Sequence, residues 1–277
     1  MRALFLGSLV LSCIAFIDSG VGGLSVLEAV QASHPNSQLI YLADQAFAPY
    51  GNKTPQWVAN RTLEIATYLN QQHTLDCIVI ACNTASTLSL QLLRANITTP
   101  IVGVVPAIKP AAEQSVTGKI GLLATPATIQ GQYIQDLISE HANHCQVTKV
   151  ASTELVLMAE AKLAGIPVDL KKLAKIVQPI MKDNCDYVVL GCTHFPLLRP
   201  ELNTLYPNTC FIDSAQAIAR RISDIVKPSP LKKDSLSNTF YSTRSINQTL
   251  SEYVLNIGFN HIHHLDLTKA TLIHCDS

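Results

Sequence analysis

Two cysteines are set apart by what surrounds them. Asp76-Cys77-Ile78-Val79-Ile80-Ala81-Cys82-Asn83-Thr84 and Asp186-Tyr187-Val188-Val189-Leu190-Gly191-Cys192-Thr193-His194 follow one pattern: an acidic residue, a short apolar run, a small residue, a thiol, then polar groups. Such a run is too short for a helix and reads as a buried parallel strand, and ligands of open α/β sheets bind beyond the carboxyl ends of their strands. A thiol becomes reactive as a thiolate, when a helix N-terminus or a nearby cation lowers its pKa from about 8.5. Both Cys82 and Cys192 are expected where a strand gives way to a helix.

Two convergent thiols fit redox exchange, metal ligation or proton transfer on opposite faces of one carbon. Redox pairs favour the CxxC spacing, and a metal site needs more ligands than two thiols and one histidine. Proton transfer asks only that one sulfur be a thiolate while the other is a thiol. Removing the Cα proton flattens that centre, and returning one from the other face inverts it. Asp18 and His194 are the natural auxiliaries of the two sulfurs. The glycine turn after Asp18, Tyr50-Gly51 and the turns after both cysteines offer groups to hold carboxylates and ammonium. No lysine stands in a context that requires pyridoxal phosphate, so no cofactor and no metal are expected.

The elements that position these groups alternate between strand and helix. Ile14-Ala15-Phe16-Ile17 leads into Asp18-Ser19-Gly20-Val21-Gly22-Gly23, and Leu24, Leu27 and Val30 then recur at helical spacing. The turn lacks the last glycine of a dinucleotide fingerprint. Strands are expected at Leu39 to Leu42, before Cys82 and at Ile101 to Val105, with a helix opened by Thr54-Pro55 that buries Trp57 and another over Ala85 to Arg94. A second round starts at Ile120-Gly121-Leu122-Leu123-Ala124-Thr125-Pro126, an echo of the first strand and its turn. It continues through helices at Thr128 to Ile138, Thr153 to Leu163, which contains Glu160, and Asp169 to Lys182. A strand at Val147 to Ala151, the Cys192 strand and Cys210-Phe211-Ile212 complete it. Lys227 to Asn238 reads as a linker, after which a last unit returns to the first domain.

The fold class is therefore α/β: two similar three-layer α/β domains with mostly parallel sheets and the active site in the cleft between them. The first is expected over residues 14–105 plus 214–277, the second over 106–213, with 1–13 an apolar extension.

Composition bounds the partners. The 277 residues carry 20 basic and 20 acidic side chains, and only 14% are charged, so no net field draws nucleic acid. A small-molecule substrate is expected, with no nucleic-acid or membrane partner. Eight cysteines without a regular framework suit a reduced, cytoplasmic protein. The leader resembles a signal h-region, and Val10-Leu11-Ser12-Cys13 a lipoprotein cleavage site. Export is set aside because Ile14 already begins the strand that presents Asp18, which leaves no tether. Cys77, Cys145, Cys185, Cys210 and Cys275 lack the setting of Cys82 and Cys192, an apolar run before the sulfur and a polar pair after it, and read as buried and structural, while His261, His263 and His264 read as a partly exposed strand edge rather than a metal site.

Several blocks together closely resemble bacterial glutamate racemases, of the aspartate/glutamate racemase superfamily. They are Phe16 to Ser25, Pro49-Tyr50-Gly51, Ala81 to Ser86, Gly103-Val104-Val105-Pro106-Ala107, Leu190 to Leu198 and Ile212-Asp213-Ser214. The resemblance implies two α/β domains, interconversion of L- and D-glutamate without cofactor or metal, and supply of D-glutamate for peptidoglycan. It assigns Cys82 to the proton of the D-isomer and Cys192 to that of the L-isomer, with Asp18 and His194 assisting and Glu160 supporting His194. It implies substrate binding by Asp18, Ser19, Tyr50, Gly51, Asn83, Thr84, Thr193 and His194. The chain departs from the pattern at Ala46-Phe47-Ala48 and Ala151-Ser152-Thr153. A homodimer and regulation by a peptidoglycan precursor stay open, as do a related racemase acting on aspartate or a hydantoin and a non-catalytic carboxylate-binding protein.

Overall fold

The computed structural model describes residues 12–227 and 237–267. The apolar leader up to residue 11, most of the expected linker and Cys275 lie outside the described residues. Its strands are β1 (Cys13–Asp18), β2 (Gln38–Ala43), β3 (Cys77–Ile80), β4 (Ile101–Gly103), β5 (Lys119–Ala124), β6 (Gln146–Ala151), β7 (Tyr187–Leu190), β8 (Cys210–Ile212), β9 (Thr239–Ser242) and β10 (His261–His264). They form two sheets in the orders β10-β9-β2-β1-β3-β4 and β6-β5-β7-β8, and every pairing among the described residues is parallel.

The helices are α1 (Leu24–Ser33), α2 (Pro55–Gln72), α3 (Asn83–Asn96), α4 (Ile108–Gln114), α5 (Pro126–Gln130), α6 (Gln132–His141), α7 (Glu154–Leu163), α8 (Leu170–Lys182), α9 (Arg199–Leu205), α10 (Ala215–Ile225) and α11 (Gln248–Asn256). Alternation along β1 sends Ile14 and Phe16 to one face of the first sheet, with Leu24, Leu27, Ile218, Ile222 and Val254 from α1, α10 and α11. Ala15 and Ile17 face the other way, onto Val58, Ile65 and Leu93 of α2 and α3. The second sheet is likewise covered on both faces, by α7 and α8 with Leu123 and Val188 on one side and by α4 and α6 with Ile120 and Leu122 on the other. Two three-layer α/β units result. No described helix is long and apolar enough to cross a membrane.

In each sheet the earliest strand is central, with its sequence neighbours on either side, so both sheets have a switch point at which connections diverge and leave a crevice at the carboxyl ends. Asp18 ends β1, Cys82 lies two residues past β3, Thr125 follows β5 and Cys192 lies two residues past β7. The acidic residue that opens each cysteine motif works at the opposite end of its strand. Asp76 accepts the Cys13 N–H at 2.8 Å, and Asp186 accepts the Ser115 and Thr117 hydroxyls at 2.6 and 2.9 Å.

Four expectations need correction. The helix placed at Thr128 to Ile138 is two helices, because Gly131 is extended (φ −66°, ψ 139°) and ends α5 while starting α6. Trp57 is half-buried rather than core. It lies in the first turn of α2 with Tyr50 and Phe47 ring centroids at 5.6 and 5.4 Å, and braces the loop before the helix. Cys210 is exposed and Cys145 half-buried, since β8 is an edge strand and Cys145 lies in the turn before edge strand β6. The segment after Cys192 is a turn and a 3-10 helix, Phe195–Leu198, rather than an α-helix, with Pro196 in its first turn.

Close approach of α8 to β5 depends on Gly121, where a Cβ would lie 2.5 Å from Ile180 Cγ2. Gly121→Ala is therefore expected to destabilise the protein by about 1–3 kcal/mol through overpacking, read as a lower urea midpoint at unchanged slope.

Candidate active site

Asp18 is fully buried at the end of β1. Its Oδ1 accepts the Gly20 N–H at 2.9 Å and the Ser19 hydroxyl at 3.2 Å, and its Oδ2 accepts the Thr193 hydroxyl, from the second sheet's side, at 2.9 Å. Ser19 Oγ lies 3.8 Å from Cys82 Sγ. A chain of contacts thus runs from Cys82 through Ser19 and Asp18 to Thr193, the residue next to Cys192. Asp18 reaches the first sulfur through Ser19.

Cys82 occupies the N-cap of α3 and is buried. The expected lowering of its pKa by the helix N-terminus is outweighed. Burial first, and then the Asp18 charge, push the thiol up to about 12, against the smaller downward pull of the Ala85 N–H and the Ser19 hydroxyl. Cys192 contributes a further upward push, so the two sulfurs feel each other. At neutral pH Cys82 is a thiol.

The second sulfur has a different environment. Cys192 Sγ lies 3.9 Å from His194 Nδ1, and His194 Nε2 lies 2.7 Å from Glu160 Oε1, presented by α7. Burial alone would lower the imidazole pKa, but its hydrogen bonds to Cys192 and Glu160 prevail and hold it well above its usual range. Burial likewise works to raise Glu160, and is overcome by its hydrogen bond to His194, the His194 charge, the Val21 N–H and the Gln45 side chain, leaving the carboxyl below its usual range. The glycine turn after β1 lies against this group. Val21 N–H donates to Glu160 Oε1 at 3.2 Å, and at Gly22 a Cβ would be 2.5 Å from His194 Nδ1, so no side chain fits there.

The remaining expected residues divide. Asn83 shares a small cavity with Cys192, Thr193, Ser25 and Ser214, which brings residues flanking both sulfurs to one space. Tyr50 is buried beside the site, but its hydroxyl donates to Asp44 Oδ2 at 2.6 Å, and Asp44 is itself clamped by Arg61 at 2.8 and 2.9 Å. The phenolic proton of Tyr50 is thereby committed, and the donors this segment offers a ligand are those of its backbone. Thr84 Oγ1 lies 3.2 Å from Thr125 Oγ1 and 3.4 Å from Thr128 Oγ1, which are 2.9 Å from each other. Sequence reasoning passed over Thr125 and Thr128. The signal was the echo of the first strand at Ile120 to Pro126, which puts a polar residue at the strand end as Asp18 is put. Among the described residues no cluster of three or more histidine, cysteine, aspartate or glutamate side chains is arranged to hold a metal ion.

Comparison with known proteins fits this arrangement. A family model described as Asp/Glu/Hydantoin racemase matches residues 24–222. The glutamate racemase of Histophilus somni (strain 129Pt) is 45% identical over 250 residues, which cover 88% of this chain and 93% of that one. That of Pectobacterium atrosepticum is 44% identical over 263 residues, 92% of this chain and 91% of its own. Among solved structures, Escherichia coli glutamate racemase in complex with L-glutamate and the activator UDP-MurNAc-ala is 39% identical and superposes with a TM-score of 0.86, covering 92% of this chain and 98% of that one. This chain belongs to the Asp/Glu/Hydantoin racemase family, among its glutamate racemases, and is an amino-acid racemase.

Proposed function

We propose that the protein racemises glutamate by a two-thiol mechanism and supplies D-glutamate for peptidoglycan synthesis in the cytoplasm. The observation that carries the mechanism is the unlike pair of strand-end sulfurs, Cys82 held as a thiol and Cys192 beside an imidazolium, joined through Ser19, Asp18 and Thr193. The bodies that carry them are assigned as residues 14–105 with 214–277 and residues 106–213. With L-glutamate bound, the Cys192 thiolate takes the Cα proton, and His194 with Glu160 behind it balances the charge on that side. The electron pair left on Cα spreads into the carboxylate, where the Asn83 side-chain amide and turn N–H groups are at hand to stabilise it. Cys82 then delivers its proton to the opposite face. For D-glutamate the protons move in reverse. The Thr84, Thr125 and Thr128 hydroxyls and the Tyr50-Gly51 backbone offer a second set of donors, suited to the side-chain carboxylate.

Regulation by a peptidoglycan precursor is part of the same proposal. Two cavities of about 480 and 370 Å³ both border Val105, and Arg94 lines one while Lys109 and Arg220 line the other. These cations suit the diphosphate of a UDP-sugar such as the activator bound by the E. coli relative.

Cys82→Ala and Cys192→Ala are each expected to cut turnover in both directions by at least ~10²–10⁴-fold, with glutamate binding still measurable by calorimetry. In deuterated water the wild-type product should carry solvent deuterium at Cα; turnover surviving in either variant would sink the two-thiol mechanism, and faster inversion of aspartate would overturn the substrate. Added UDP-MurNAc-ala is expected to raise the rate, and a flat response over a wide concentration range would remove the regulatory reading. The Glu160–His194 pair should also appear in stability. Glu160, lowered from 4.5, stabilises fully above that pH and loses its effect as pH falls through its depressed value; His194, raised from 6.5, stabilises fully below that pH and loses its effect as pH rises through its elevated value. The gap in urea midpoint between wild type and Glu160→Gln should therefore be widest between pH 4.5 and 6.5 and shrink on either side, whereas a pH-independent gap would contradict the ion pair.

A further inference from the structure

Tyr41, in the middle of β2, is fully buried and carries a polar group that the mechanism above does not use. Its ring stacks on Phe240 of β9, with centroids 5.4 Å apart and planes within 2°. Its hydroxyl donates to the Gly20 carbonyl at 3.0 Å, and the Gly23 N–H reaches its oxygen from the other end of the glycine turn. The Gly20 carbonyl and the Val21 N–H belong to one planar peptide unit and point in opposite directions across it. The Val21 N–H is the group that donates to Glu160 Oε1 at 3.2 Å, and the same oxygen lies 2.7 Å from His194 Nε2. One rigid plate is thus held on its carbonyl side by Tyr41 and presented on its N–H side to the carboxylate behind the second thiol.

We propose that Tyr41 is a positioning residue for the reaction, its hydroxyl fixing the Gly20–Val21 peptide so that the Val21 N–H stays aimed at Glu160 and Glu160 stays aligned on His194. This rests on the reading of Cys192, His194 and Glu160 as one acid–base group. The titratable groups facing Tyr41 are Asp18, Glu160 and Cys82, and those facing Glu160 are His194 and Tyr41, with the neutral Gln45 side chain alongside. A peptide free to rotate withdraws a donor from the charged form of Glu160, which raises the pH at which that carboxyl ionises.

The test is a double-mutant cycle of Tyr41→Phe and Glu160→Gln, reading the pH profile of kcat/KM for glutamate and the thermal midpoint of each variant. Tyr41→Phe keeps the stack on Phe240 and is expected to lower activity about three- to tenfold, the size of one hydrogen bond. It should also move the acid limb of the profile to higher pH. In the Glu160→Gln background the same substitution should move no limb and cost little more activity. An equal, additive loss in both backgrounds with an unmoved acid limb would reduce Tyr41 to a packing residue and overturn the proposal. If Glu160→Gln alone leaves the acid limb in place, the acid–base reading of Glu160 fails, and Tyr41 with it. If Glu160→Gln moves the limb and Tyr41→Phe does not, only the Tyr41 proposal fails. Should Tyr41→Phe not fold, p-aminophenylalanine at position 41 keeps the ring and a weaker donor. A smaller shift of the same sign is then expected, and no shift overturns the proposal.

Discussion

The site depends on the need of one buried carboxylate for donors. Asp18 is shielded from water on every side, and an ionised group in that position is tolerable only when both oxygens are hydrogen-bonded. Two of its donors come from the glycine turn that follows it, but the third, the Thr193 hydroxyl, comes from the turn that carries the second thiol. Parting the two sheets would strip Asp18 Oδ2 of its partner. The glycine turn adds a steric condition, since at Gly22 its backbone lies directly against His194. The hydrogen bond to Asp18 and the mating of two turns therefore tie the second unit to the first beside both cysteine loops.

Parallel topology makes that arrangement available. Because each sheet places its earliest strand in the centre, each has a single crevice at its carboxyl ends, and opposing the two crevices encloses a small space with loops from four strands. The strands contribute unlike groups to it: a carboxylate from β1, a thiol after β3, a hydroxyl after β5, and a thiol with its imidazole after β7. The ends facing away from the site are used to anchor the strands, as the carboxylates of Asp76 and Asp186 do.

How legible each part was follows from how local its cause is. The ends of β1, β3 and β7 are legible because an apolar run followed by polar residues is a local signal, and that signal puts Asp18, Cys82, Cys192 and His194 at or just past strand ends. Thr125 stood at the fourth such end and was passed over for want of a thiol or carboxylate. The break at Gly131 was hidden by apolar spacing that continues across it. Tyr41 was invisible for a different reason: a tyrosine in a buried strand reads as core, and its hydroxyl matters only through a peptide plane brought to it by a turn remote in sequence. The direction of the Cys82 pKa failed in the same way. Its place at a helix N-terminus was correctly read, but the burial and the Asp18 charge that outweigh the helix are tertiary facts.

The inequality of the two thiols bears on what a racemase can and cannot show. On the proposed two-thiol mechanism, Cys82, a buried thiol beside a carboxylate, is ready in the free enzyme to give a proton rather than to take one. The enantiomers have the same free energy in water, so kcat/KM must be equal in the two directions however unequal the sulfurs are. The asymmetry can therefore appear only in how that ratio divides. The isomer that takes its new proton from Cys82 meets that sulfur ready-protonated, while the other needs the Cys82 proton removed before reaction. On this mechanism the electrostatics around Asp18 and His194 govern the separate values of kcat and KM, and leave the ratio of the two directional efficiencies to thermodynamics.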